Sequence, residues 1–589
     1  MRIAVTGSGI VSAIGTDKAS VLTSLLNGDT GIAPMRHLRS SLTDIPVGEV
    51  KLTNEELKSR AGIPENEVVS RTALLGIMAT SEALAEAGLT TAESAEGLRV
   101  AFISGTTVAG MDITEQYFAE ASEGGCGNCE FIRQHECGSD TSAIAGHFGL
   151  FCESTTISTA CSSAANAIAL GARMLKAGDA DIVVAGGSEA LSRFHLNGFN
   201  SLMILDHERC RPFDKSRRGL NLGEGAAYIV MESAESARKR QKTPLAYVTG
   251  YGNACDAFHQ TASSDNGEGA YLAMSEALTM SGLRPTDVQY VNAHGTGTAS
   301  NDKSESLALR RVFGDEMPAV SSTKSATGHT TSASGSIETV ICILAIKNGF
   351  IPANIGWKEQ DEECICPTPS VTKSKVENVM CNSFGFGGND TSIILSAEAK
   401  EDDCWHPLFS VKVASMVEID TDANLGEIKR YVSPMEARRM GSMAKSAMLS
   451  SLKALEKAGI KKPDAIVTGT RFGCLANTER ILMQMKENGE GSISPTDFMQ
   501  STHNTIGSGI AIKLKCHGYN ITYSHGKDSL KDALNDAEML ISSGKCETVL
   551  VGCHDEMSPA FADILGRSGE ETVNKLHSVA MVLTRREQA

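Results

Sequence analysis

Residues 157–168, "ISTACSSAANAI", decide how this chain is read. A run rich in β-branched residues reaches Cys161, and small residues then lead into an Ala-rich pattern with apolar residues at three- and four-residue spacing. That pattern is a strand, a tight turn and the start of a helix. An isolated cysteine is most often a small buried residue. At the start of a helix, however, the N-terminus favours thiolate and its free N–H groups can receive a developing oxyanion. Cys161 is therefore read as a nucleophile, which needs a base or donor close by in space.

Working outward, short β-rich runs alternate with helical patterns. "RIAVTG", "RVAFISG", "DIVVAGG", "AAYIVME", "VQYVNAHG" and "SIILSA" read as strands. "SRTALLGIMATSEALAEAGL" and "AANAIALGARMLKAGDA" read as helices, each with a glycine near its C-terminus. The alternation predicts an α/β fold with buried sheets. The 589 residues exceed one ordinary domain, and 41% hydrophobic with 21% charged residues is a globular composition. A net charge of −17 gives no reason to expect a nucleic-acid partner, which calls for clustered Lys and Arg. The N-terminal "MRIAVTGSGIVSAIG" reads as a strand and turn rather than a signal peptide, and no apolar run reaches membrane-spanning length. Sixteen cysteines in that context point to reduced thiols and a cytoplasmic protein.

At 397–407, "AEAKEDDCWHP" is charged and ends in proline, and 398–407 is read as a linker. Periodicity then resumes and repeats what came before. "SMAKSAMLSSLKALEKAGI" echoes the helix ending at Gly88, "DAIVTGT" echoes "VAFISGT", "GKCETVLVGCHDEMS" echoes "GDADIVVAGGSEALS", and "SVAMVLT" echoes "GAAYIVM". Identities are few, but the order is kept, so residues 408–589 read as a copy of roughly the first 235. A spacing of 366 carries Gly178 onto Gly544 and Cys161 onto Lys527, within "YNITYSHGKDSL". The copy lacks the nucleophile. His525 and Lys527 could form a new site, because a desolvated lysine can be a nucleophile; the expectation is that this domain is not catalytic.

Two histidines could serve Cys161. His294 follows a strand in "VNAHGTGTASND", and His329 lies five residues after Lys324 in "SSTKSATGHTTSASGSIE". "NSFGFGGND", 382–390, is a third glycine-containing loop, without phosphate-loop spacing. "CGNCEFIRQHEC" places Cys126, Cys129, His135 and Cys137 in zinc-like proximity, but lacks a second knuckle, so free thiols in a loop are expected. Cys364 and Cys366 are a weaker pair.

Over about residues 1–397, "STACSS", "RPFDKSRRGLNLGEGAA", "HGTGT", "STKSATGH" and "NSFGFGG" together resemble the β-ketoacyl–acyl carrier protein synthases, the elongating condensing enzymes of fatty acid and polyketide assembly. The resemblance implies a thiolase-like fold in five αβαβα layers, with an N-terminal half over 1–250 and a C-terminal half over 251–397. It implies an acyl chain on Cys161, an enolate held by His294 and His329, and Lys324 and Glu338 orienting the histidines. Backbone N–H groups of Cys161 and Phe386 would bind the second oxyanion, with Phe386 also the gate of the acyl pocket. Thr296, Thr298 and Phe384 would line the substrate site. Thioester chemistry of this kind needs no metal or redox cofactor. The implied partner is an acidic acyl carrier protein, received by Arg209, Arg211, Lys215, Arg217 and Arg218. Residues 408–589 resemble the truncated, non-catalytic partners of pigment and type II polyketide systems. A homodimer or an intrachain pseudo-dimer is implied. A degradative thiolase, with a second catalytic cysteine, and a non-catalytic scaffold are the rival readings. The family often has glycine and alanine after the second histidine, where this chain has Thr330, Thr331 and Ser332.

Overall fold

The computed structural model describes residues 1–125, 129–400, 409–420, 422–569 and 576–586. The strands form where the apolar runs lie, among them Ile3–Ser12, Val100–Gly105, Ile182–Glu189 and Gly225–Ser233. Helices Arg71–Ala87 and Ser163–Ala177 end on left-handed glycines, Gly88 at φ 69° and Gly178 at φ 79°. Glycine takes that conformation without steric cost and lets the last turn bond its own carbonyls.

Fifteen described strands join edge to edge, and they fall into three groups of five. The first group runs Ala319–Ser321, Tyr290–Asn292, Asn378–Gly385, Asn389–Ser396, Ala246–Cys255. The second runs Ile3–Ser12, Gly225–Ser233, Ile182–Glu189, Val100–Gly105, Glu153–Ile157. The third runs Asn520–Tyr523, Ala465–Gly469, Thr548–Glu556, Leu576–Arg585, Val411–Ile419. The third group is the second in mirror order, so a pseudo-twofold axis lies where they meet. There Ile157 pairs antiparallel with Tyr523. The Ser158 N–H donates to the Thr522 carbonyl, and the Ser524 N–H to the Thr156 carbonyl, both at 2.9 Å. These residues are related by the same spacing of 366 that the sequence repeat shows.

The first two groups stack with helices between and outside them. Ser163–Ala177 and Ser334–Asn348 form the middle layer, touching strands of both groups. Arg71–Ala87 covers the outside of the second group and Glu268–Ser281 the outside of the first. This is the thiolase-like five-layer αβαβα arrangement. Among the described residues the third group packs chiefly on helices of its own segment, and its sequence fits that state. No residue of Ser163–Ala177 is exposed, because a second sheet covers it. Its counterpart Ser529–Ser542 exposes Lys531, Asn535 and Glu538 along one face. That polar stripe stands where a second half would otherwise bury apolar area.

The C-terminal half-domain is bound to the rest by buried polar contacts. Arg173 pairs with Asp536 at 2.7 Å and donates to the Tyr519 hydroxyl at 2.6 Å. Asn253 donates to Asn166 at 2.8 Å and accepts from the Asn520 N–H at 2.9 Å. From residue 401 onward the linker read at 398–407 lies outside the described residues. Among the described residues no helix is long and apolar enough to cross a membrane.

Candidate active site

Cys161 sits in the short helical turn Ala160–Ser162, directly before helix Ser163–Ala177. Ala160 is left-handed at φ 52°, a conformation that costs a non-glycine residue about 1–2 kcal/mol. His294 follows strand Tyr290–Asn292. Glu305 accepts the His294 N–H at 2.9 Å and the Gly295 N–H at 2.7 Å, which fixes that turn. His329 follows the turn Lys324–Thr327, and its N–H donates to the Asn221 carbonyl at 2.7 Å. The three loops converge from three separate parts of the chain.

The His329 Nε2 lies 3.2 Å from the Cys161 Sγ, and its Nδ1 lies 3.0 Å from the Ser334 hydroxyl. The His294 and His329 rings stand edge to face, centroids 5.3 Å apart. The His294 Nδ1 is buried and has no hydrogen-bond partner. Phe384 packs on His294 at 5.9 Å. Behind the histidines, Lys324 and Glu338 form a buried ion pair at 2.5 Å. Cys161, His294, His329, Phe384, Thr296, Thr298 and Phe386 bound one cleft of about 380 Å³; Ser334, Lys324 and Glu338 are not part of its lining. The Thr296 and Thr298 hydroxyls are 2.9 Å apart.

Burial dominates the electrostatics. It pushes both His294 and His329 well below the usual imidazole range, and the Lys324 charge adds to the effect. Both rings are neutral at neutral pH. Burial also raises the Cys161 thiol to about 11, opposed by Lys324 and by the backbone N–H groups of Phe386 and Cys161, which reach the sulfur. Burial raises Glu338 to about 7, with Lys324 opposing. Cys161, His294 and His329 bring their ligand atoms within 4.8 Å of one another. A Cys/His donor set of that size could also take a soft metal ion.

Phe386 stacks on Phe199 at 5.6 Å. Phe199 in turn meets Phe498 of the C-terminal half-domain edge-on at 5.5 Å. Sequence reasoning missed Phe199, Phe498, Glu305 and Ser334. A buried acid in the second turn of helix Ala299–Phe313 was the available signal for Glu305; nothing local marks the two phenylalanines. The substituted loop after His329 is a packing feature. Ser332 donates to the buried carboxylate of Glu189, which also accepts the Thr107 N–H at 2.6 Å. Thr330 bonds Ser334 at 3.2 Å, beside the His329 ring.

The basic cluster is split. Arg217 is taken by Asp361 at 2.5 Å and Asp302 at 3.6 Å, and its side chain is 6% exposed. Arg211 bridges Asp206 and Glu208. Lys215 pairs with Glu359 on the surface. Arg209 and Arg218 are exposed, and Arg218 lines the cleft.

The cysteine cluster is helical rather than a loop. Cys129 and His135 end a short helical turn, and Cys137 opens helix Cys137–Phe148. Each faces the C-terminal half-domain: Cys129 meets Arg567, the His135 ring lies tilted against Phe561 at 4.8 Å, and Cys137 meets His503. Cys126 lies outside the described residues. Cys364 is buried and Cys366 exposed. In the half-domain Lys527 is exposed, so it is not a desolvated amine. His525 is held by the Thr156 hydroxyl at 2.9 Å. The alternative of a lysine site there has no structural basis.

The fold and the Cys–His–His cleft define a thiolase-like condensing unit, and comparison with known proteins agrees. Residues 1–237 match the family model for the β-ketoacyl synthase N-terminal domain and 245–358 that for its C-terminal domain. Residues 417–589 match a second model of the N-terminal domain. Nodulation protein E of Rhizobium meliloti is 35% identical over 399 residues, 66% of this chain and 97% of that protein. 3-Oxoacyl-[acyl-carrier-protein] synthase 2 of Coxiella burnetii is 34% identical over 413 residues, 67% of this chain and 98% of that protein. The chain belongs to the β-ketoacyl synthase family. Among solved structures, the ishigamide ketosynthase/chain length factor matches at TM-score 0.62 and 30% identity, covering 68% of this chain and 99% of that one. The PfaC keto synthase–chain length factor matches in fold over 100% of this chain and 79% of its own, at TM-score 0.81 and 18% identity.

Proposed function

We propose that this protein is a 3-oxoacyl-[acyl carrier protein] synthase carrying its own non-catalytic partner half. The observation that carries the reading is the 3.2 Å contact between the Cys161 sulfur and a neutral His329, with His294 edge-on beside it. The Cys161 thiol gives up its proton as it attacks the thioester of an acyl–carrier protein, and the His329 Nε2–H and the helix N-terminus steady the thiolate that forms. The carbon–sulfur bond to Cys161 forms, that to the carrier breaks, and the proton passes to the departing carrier thiol. The N–H groups of Cys161 and Phe386 hold the oxyanion.

Malonyl–carrier protein then enters. Its carboxylate leaves as carbon dioxide, and the electron pair of the broken carbon–carbon bond becomes an enolate. Neutral His294 and His329 each donate an N–H to the enolate oxygen. With the Ser334 hydroxyl donating to Nδ1, the Nε2 of His329 carries the proton that this role requires. The enolate carbon attacks the acyl–Cys161 carbonyl, the new carbon–carbon bond forms, the bond to the Cys161 sulfur breaks, and the released thiolate takes a proton from solvent. Lys324 and Glu338 keep the histidine loop in place. Thr296 and Thr298 receive the malonyl arm.

The carrier protein docks near Arg209, Lys215 and Arg218, the surface members of the basic cluster. The C-terminal half-domain acts as an intrachain dimer partner that shapes the acyl pocket, in a pathway to fatty acids, polyketides or polyene pigments. Free thiols throughout the described residues suit a reducing cytoplasm.

The test is intact mass spectrometry after incubation with acyl–carrier thioesters, with Cys161→Ala as control. An adduct on the wild type alone, discharged by malonyl–carrier protein with release of a ketoacyl product, is expected. No adduct with any donor length would refute a condensing role.

A further inference from the structure

The gate loop is gripped by both domains. The peptide joining Phe386 to Gly387 accepts at its carbonyl from the Asn504 Nδ2, at 2.8 Å. The N–H of the same peptide donates to the Gln260 carbonyl at 2.6 Å. Gln260 belongs to the catalytic unit and Asn504 to the half-domain without a nucleophile. The Asn504 Nδ2 also reaches the Asn389 Oδ1, at 2.6 Å, so one side chain ties both ends of the loop.

This grip is tight and one-sided. Asn504 is buried, and its Oδ1 has no partner, so its donor end decides its orientation. Gly387 is left-handed at φ 83°, and a Cβ there would come within 2.2 Å of the Ser508 hydroxyl and 2.9 Å of Asn504. The loop therefore lies against the half-domain with no room for a side chain. The residue 366 positions before Asn504 is Gly138, which faces His525 and Gly526 across the pseudo-twofold axis. The amide side chain is present only on the side that faces Cys161.

We propose that Asn504 is a positioning residue for acyl transfer. By fixing the Phe386–Gly387 peptide, it keeps the Phe386 N–H aimed at the Cys161 sulfur, so the half-domain completes the oxyanion hole of its neighbour. This deepens the condensing-enzyme reading and rests on Cys161 as the acyl carrier. Decarboxylation depends on His294 and His329, which stand on other loops, so the two half-reactions separate.

The experiment uses the full chain with Asn504→Leu, which fills the site without a donor, and Asn504→Ala in case leucine does not pack. Two rates are read: acyl adduct formation on Cys161 in a single turnover, and carbon dioxide release from malonyl–carrier protein with no acyl donor. Losing an aimed oxyanion donor costs a large factor, so acyl transfer falls at least about tenfold in either variant. Carbon dioxide release stays within about twofold, the signature of a step-specific loss. Unchanged acyl transfer overturns the proposal. A parallel fall of both rates also overturns it, because that marks general loosening. A wild type that forms no adduct overturns instead the condensing reading on which it stands.

Discussion

Cys137 and His503, 366 residues apart in the chain, meet on the pseudo-twofold axis with Sγ and Nε2 3.5 Å apart. They occupy the same position in the two related halves, and the axis brings them together. Burial holds His503 neutral, pushing it from 6.5 down to about 4. An unfolded chain takes up that proton below pH 6.5, so the stability due to a neutral His503 is complete above 6.5 and is lost towards 4. The loss runs to about 1.4 kcal/mol per pH unit. Buried acids such as Glu189, raised to about 7, work in the opposite sense, so the readout is a difference. The stability gap between wild type and His503→Gln in urea unfolding should shrink from pH 7 to pH 5. A gap independent of pH counts against a neutral buried His503.

Lys324 and Glu338 are a buried pair whose members need each other. Lys324→Met leaves a carboxylate in the core and should cost about 3–5 kcal/mol, as removal of one partner of a buried pair does. The double variant Lys324→Met/Glu338→Leu should regain most of that stability in urea unfolding. Condensation should stay low in both, because the histidine loop loses its support. Full activity in the double variant would show the pair to be structural only.

Phe498 reaches across from the half-domain to lie edge-on to Phe199, and a Cβ on Gly198 would fall 2.1 Å from its ring. Phe498→Ala opens space behind Phe199 and the gate. It should cost about 3–5 kcal/mol of stability and shift the product profile towards longer chains. An unchanged profile in a folded variant removes the half-domain from chain-length control.

Arg218 and Arg217 are neighbours with different work. Arg218→Glu, at an exposed rim position, should raise the KM for carrier protein several-fold with kcat nearly unchanged. Arg217→Ala should instead lower stability, because it strands Asp302 and Asp361. Steady-state kinetics beside thermal unfolding separates them. Equal KM for Arg218→Glu and wild type places docking elsewhere.

Much of this molecule is written locally. The strand–turn–helix around Cys161 follows from a β-branched run, small residues and a helical period, and these act over a dozen positions. The same local rules marked His294 and His329, each in a glycine turn after a strand. The half-domain was legible through order, because helices and strands recur in register even where identities are few. The loss of the cysteine was legible too, since Lys527 stands where Cys161 would recur.

Other features depend on which surfaces meet. Arg217 looks like a docking cation in the chain, yet Asp302 and Asp361 arrive from distant segments and take its charge. Cys137 looks like a metal ligand beside Cys129, yet the pseudo-twofold axis gives it His503. Phe199, Phe498 and Asn504 carry no local signal, because their role exists only once the half-domain lies against the gate loop. Short-range periodicity and turn chemistry encode the strand–turn–helix around Cys161, the glycine turns that hold His294 and His329, and the doubled fold. The tertiary structure decided the partners of charges, the packing of the gate and the grip of Asn504, because those depend on contacts between residues far apart in the chain.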